Sequence, residues 1–247
     1  MSQGFGRALL VAGVLLVLPA SGRVADNPEA DSSPTDRRQQ APATGTADAG
    51  ELSVKQPDLI LVLYDPRGAL PSGAEVMARE VEAIFAGLGV NVGWRKGGSG
   101  ITFGDGPVPE MAVVLMPGDP RWERKEDHVM GHVLRRQTPN RAMWLFVSNV
   151  RWTLGFRPQA RKGAPPSEWR EVGVALGRVV AHELIHAVAP EEPHAEDGLM
   201  RHSLDGRGLR AKDVTIDARC ARAFLAGLAA RRAHVSEILP AKIVAGP

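Results

Sequence analysis

Apolar side chains in this chain fall into short unbroken runs and into stripes at three- and four-residue steps, and the alternation of the two predicts a mixed α/β (α+β) domain. Residues 57–64 (PDLILVLY) are a continuous apolar run closed by Asp65-Pro66-Arg67-Gly68, as expected of a buried strand and its turn. Across residues 74–88, Val76, Met77, Val81, Ile84, Phe85 and Leu88 share one helical face, and Gly87 and Gly89 end it. Residues 90–94 return to strand character, so the opening reads as a βαβ unit with parallel strands. A Gly-rich loop at 96–109 leads to a third strand at 111–116 (MAVVLM), and 141–150 (RAMWLFVSNV) predicts a fourth. Residues 131–134 add a short edge strand, which makes a sheet of about four to five strands.

A long helix is predicted from Ser167, as N-cap, to about Val188, with Glu168 and Glu171 in its first turn where carboxylates suit the helix dipole. Val172, Leu176, Val179, Val180 and Leu184 form its apolar stripe, and Gly173 and Gly177 would let its backbone approach the sheet closely. Pro190 stops it. A last helix is expected over residues 214–233, with Cys220 as a small core residue.

Composition changes the picture at the amino terminus. Arg7, an apolar run at 8–18 and small residues at 19–22 read as an export signal over residues 1–22. The run is too short to span a bilayer as a helix, which takes about twenty apolar residues, and no cysteine near the cleavage region offers a lipid anchor. Residues 23–54 carry almost no large apolar side chain and so cannot offset the entropy of ordering, as befits a disordered linker or pro-segment. Residues 55–247 then form one domain, expected in the periplasm or outside the cell. With a single cysteine the chain has no internal disulfide framework, so stability must come from packing and from any bound metal. A net charge of +2, with arginines scattered rather than striped, argues against nucleic acid as a partner.

The chemistry concentrates in one stretch of the long helix, His182-Glu183-Leu184-Ile185-His186. Residues four apart lie one turn apart on a single face, so both imidazoles can reach one ion with Glu183 beside them. A catalytic zinc takes three protein ligands, and His194, beyond the stop at Pro190, is the expected third. Glu192 is the rival, since zinc also accepts oxygen, and a carboxylate from the final helix region, Asp213 or Asp217, is a further alternative. Glu183 is placed to act as general base toward a zinc-activated water, then as acid toward a leaving amine.

Continuing as His194-Ala195-Glu196-Asp197-Gly198-Leu199-Met200, the chain resembles a metzincin metallopeptidase. In that clan HExxHxxGxxH precedes a tight turn that carries a methionine beneath the metal. The likeness is nearer still to small exported bacterial metzincin-like proteins of uncharacterised function whose HExxH is followed by a proline-containing turn, a His, and GLM or GIM. It covers most of residues 57–206. The resemblance implies His182, His186 and His194 as zinc ligands, Glu183 as base and Met200 as the Met-turn residue, acting on peptide or protein substrates. Two positions depart from the clan pattern: Ala189 stands where it has Gly, and the third His comes two residues late, with Glu192 at the usual ligand position. The alternative function is a metal-stabilised, non-catalytic binding or scaffold protein of the envelope with the same fold.

Other side chains receive plainer roles. His128 and His132 repeat the four-residue spacing, but Gly131 and an irregular setting argue against a helix and no third ligand accompanies them. His202 is expected in a solvated loop, Tyr64 in packing, and Trp144, Phe146, Trp152 and Trp169 in the core or at its boundary.

Overall fold

The computed structural model describes residues 56–104, 106–118, 129–134, 141–156 and 164–238. The expected signal (1–22), the linker (23–54) and His128 lie outside them. Their strands are β1 (Leu59–Tyr64), β2 (Val92–Lys96), β3 (Glu110–Met116), β4 (Gly131–Leu134) and β5 (Arg141–Phe146). The helices are α1 (Ala74–Ala86), α2 (Val147–Thr153), α3 (Pro166–Val188) and α4 (Ala218–Ile238), with short 3-10 turns at Gly198–Met200 and Gly208–Arg210.

Together the strands form one mixed sheet in the order β2-β1-β3-β5-β4. Four strands run parallel, with Leu61 opposite both Trp94 and Met111, and β4 pairs antiparallel with β5 at the edge. The unbroken apolar runs follow from burial on both faces. Leu59, Leu61, Met111, Val113, Leu115, Met143 and Leu145 belong to the core that also holds Met77, Val81 and Phe85 of α1 and the inner face of α3. Val62, Tyr64, Ala112, Val114 and Ala142 form a second layer with Phe103 against it. Tyr64 is a packing residue as expected, and its hydroxyl donates to the Thr102 carbonyl while accepting from the Thr102 N–H, both at 2.8 Å.

Several expectations need correction. The strand predicted at 141–150 ends at Phe146, and 147–153 wind into α2. Tertiary contacts override β propensity there: Val147 and Val150 are buried in the core, Ser148 donates to the Pro117 carbonyl, and Asn149 donates to the Val129 carbonyl at 2.7 Å. β2 begins two residues later than 90, because Val90 N–H still caps α1 by donating to the Phe85 carbonyl at 3.1 Å. Ser167 is not an N-cap; α3 starts at Pro166, whose fixed φ and missing N–H suit the first helical position. α4 begins at Ala218 rather than 214, since the Asp217 carboxylate accepts from the N–H groups of Arg219 and Cys220.

Gly173 and Gly177 do permit a close approach, but to α1 rather than to the sheet. A Cβ at 173 would lie 2.6 Å from the Gly73 carbonyl oxygen, and one at 177 would lie 2.7 Å from Glu80 Cβ. Arg178, one turn before His182, reinforces that seam by donating to Glu80 at 2.8 Å and to the Leu209 carbonyl at 2.9 Å. Phe85 meets Phe224 of α4 at 4.8 Å between ring centroids, and Cys220 is buried and free, the core residue expected of it.

Candidate metal centre

The last turns of α3 carry His182 and His186, and the chain then leaves the helix at Ala189, which Pro190 follows. Glu192 N–H donates to the Ala189 carbonyl at 3.1 Å, a tight turn that brings His194 back toward the helix. Arg231 of α4 donates to the Ala187 carbonyl at 2.8 Å, tying the end of α3 to α4. The turn from Ala189 to His194 thus returns the chain to the end of α3.

His186 Nε2 lies 3.2 Å from His182 Nε2 and 3.1 Å from His194 Nε2. One ring hydrogen cannot bridge both separations, whereas one cation can. Zinc at 2.0–2.1 Å from each nitrogen of a tetrahedron would separate them by roughly 3.3 Å, so the spacing fits that ion. Among the described residues, His182, His186 and His194 form the group of potential ligands whose atoms lie within 4.8 Å of one another, and they could hold a metal ion.

His182 is fixed by the turn that follows. Its Nδ1 lies 2.8 Å from the Leu199 carbonyl oxygen, which can only accept, so Nδ1 carries the hydrogen and Nε2 presents a lone pair. The turn holding Leu199 is itself pinned. Gly198 sits at φ 73°, where a Cβ would approach the Thr215 carbonyl oxygen to 2.5 Å, and Leu199 N–H donates to that oxygen at 2.9 Å. Met200 is fully buried next to it, and Ala195 N–H donates to the Met200 carbonyl at 2.8 Å. Burial holds the His182 imidazole below the ordinary value of 6.5, and burial with the neighbouring His202 does the same for His194. Both are thus disposed to be neutral, as ligands must be.

Glu183 is placed by space. On β4, Gly131 faces it so closely that a Cβ there would lie 2.6 Å from Glu183 Cγ and 2.7 Å from Oε1. Burial pushes the Glu183 carboxyl up to about 7. In the sequence Gly131 reads as a helix breaker between two histidines and as the start of an edge strand. Its present role has no signal in a single sequence, because it depends on β4 lying beside α3.

A cleft of about 880 Å³ contains the three histidines and Glu183, with residues 129–133 on one side and Trp152, Thr153 and residues 202–206 on another. Trp152 is 53% exposed there, not a core residue, whereas Trp169 is buried under the guanidinium of Arg151. His202 is exposed as expected and also borders the cleft, with its ring 5.0 Å from that of His194. His132 is exposed on β4 and lines the same cleft without joining the metal group. The rival ligands are otherwise engaged or remote: Glu192 pairs with Arg219 at 2.6 Å, Asp217 caps α4, and Asp213 is outside the group.

Compared with known proteins, the chain matches no family model, no curated protein and no solved structure. The site must therefore be read from its own geometry.

Proposed function

We propose that the chain is an exported, zinc-dependent metallopeptidase of metzincin-like type, in which His182, His186 and His194 hold the metal and Glu183 is the general base. The observation that carries this reading is the convergence of three imidazole Nε2 atoms beside a carboxylate within one cleft. Three protein ligands, with no fourth in the group among the described residues, is the donor count of catalytic rather than structural zinc. That count favours an enzyme over a metal-stabilised scaffold.

Zinc held there would supply Lewis acidity, making water acidic near neutrality and drawing electron density from a carbonyl. The protein's own groups do the rest. His182, locked by Leu199, keeps its lone pair aimed into the site. Glu183 takes the proton of the attacking water and delivers it to the departing amine, two transfers for which its carboxyl, in the cleft beside the histidines, is placed. No helix among the described residues is long and apolar enough to cross a membrane. Export itself rests on residues 1–22.

The test is zinc content and peptide hydrolysis measured together. Glu183→Ala should retain zinc and lose turnover, which separates base from ligand. Turnover unchanged in that variant would refute the assignment.

A further inference from the structure

We infer that Arg219, at the start of α4, is a positioning residue for the third metal ligand: acting through Glu192 and Pro193, it holds the turn that brings His194 to the site. The inference rests on the metal centre proposed above and concerns how that centre is kept in place.

The three histidines are not equally supported. His182 and His186 stand on α3, the first buried and the second half-buried, whereas His194 is exposed and lies on a turn beyond the helix. A ligand on a turn keeps its geometry only as well as that turn is anchored. On its downstream side the anchor is local, since Ala195 N–H donates to the Met200 carbonyl at 2.8 Å. Upstream, the chain is tied to α4. Arg219 Nε lies 2.6 Å from Glu192 Oε1, and its Nη2 lies 3.5 Å from the carbonyl oxygen of Pro193, the residue immediately before His194.

This ion pair differs from a solvated one. The Glu192 side chain is 14% exposed, and its Oε1 is buried without an aligned hydrogen bond among the described residues, so the Arg219 charge is what offsets its burial. Arg219 is fixed in turn, because the Asp217 carboxylate accepts from its N–H at 2.8 Å and the next residue, Cys220, is fully buried. Four residues earlier, the Thr215 carbonyl accepts from Leu199 N–H at 2.9 Å, and Leu199 holds His182 Nδ1 at 2.8 Å. Residues 215–219 thus reach two of the three ligands from outside, His182 through Leu199 and His194 through Glu192 and Pro193. Outer partners of this kind fix ligand orientation, and losing one lowers metal affinity by about 10–100-fold.

Zinc affinity of the full chain, measured by competition with a chromophoric chelator, provides the test. Arg219→Ala should weaken zinc by about 10–100-fold in the parent, but by less than about threefold in a His194→Ala background, where no third ligand is left to position. Glu192→Ala should reproduce the loss from the other partner, and Arg219→Lys, which restores the charge, should return most of the affinity. An equal loss in both backgrounds, or no recovery with lysine, would mean that Arg219 supports the fold at large. Unchanged affinity in folded Arg219→Ala or Glu192→Ala would mean that the turn holds itself. Either result would overturn the inference and leave the metal centre standing, whereas a parent chain that binds no zinc would overturn both.

Discussion

The two sides of the cleft are built differently. On one side, the end of α3 and the Gly198–Met200 turn gather three histidines from thirteen consecutive residues, each placed by local helix period, a proline stop or a turn. On the other, β4, α2 and the loop at 203–206 come from distant stretches and meet only through tertiary contacts such as Asn149 with Val129. The three histidines are set by hydrogen bonds and turns of the near chain, while Glu183 is placed by the space that the far chain leaves. Metal binding should therefore survive damage to the far side, and catalysis should not.

The largest effect is expected on the near side. His186→Ala removes the ligand central to both short nitrogen separations, so bound zinc should fall from one ion per chain to background and hydrolysis should disappear with it. Elemental analysis of the purified variant checks this. Next comes Gly131→Val on the far side. Its side chain must displace Glu183, and a shift of about 1 Å at a catalytic group costs on the order of a hundredfold. Peptide hydrolysis should fall by about that factor while zinc content holds, and loss of both together would mean that the two sides are not separable.

A smaller effect, on stability, is expected at the turn. Gly198→Ala places a Cβ at φ 73° against the Thr215 carbonyl and should destabilise the domain by about 1–3 kcal/mol, read as a lower melting temperature. The smallest concerns pH. In the metal-free protein the Glu183 carboxyl is raised to about 7 by burial, so its protonated form fits the fold and its ionised form does not. That contribution is full below pH 4.5 and is lost as pH rises toward 7. Chelated Glu183→Gln should therefore gain melting temperature over the chelated parent across that window, and parallel profiles would contradict the burial argument.

The same division explains what could be read in the sequence. The βαβ opening and the buried strands were legible because continuous apolar runs and a three-four stripe have few other readings. His182, Glu183, His186 and His194 were legible because their relation is local. α2 was not: Trp144 to Val150 is rich in strand formers, and only the anchoring of Ser148 and Asn149 on other segments makes a helix there. The closeness of Gly131 to Glu183 and the exposure of Trp152 were not legible for the same reason, since one depends on what lies opposite and the other on what buried neighbours force. Gly173 and Gly177 were read as close-approach residues, and only the partner differed.

The central claim is that one metal ion is held by three imidazoles, the third supplied across a lengthened turn. X-ray absorption at the zinc edge of the full chain tests it most directly. The account predicts three imidazole ligands at about 2.0–2.1 Å in the parent and two in His194→Ala. An unchanged spectrum in that variant would contradict it.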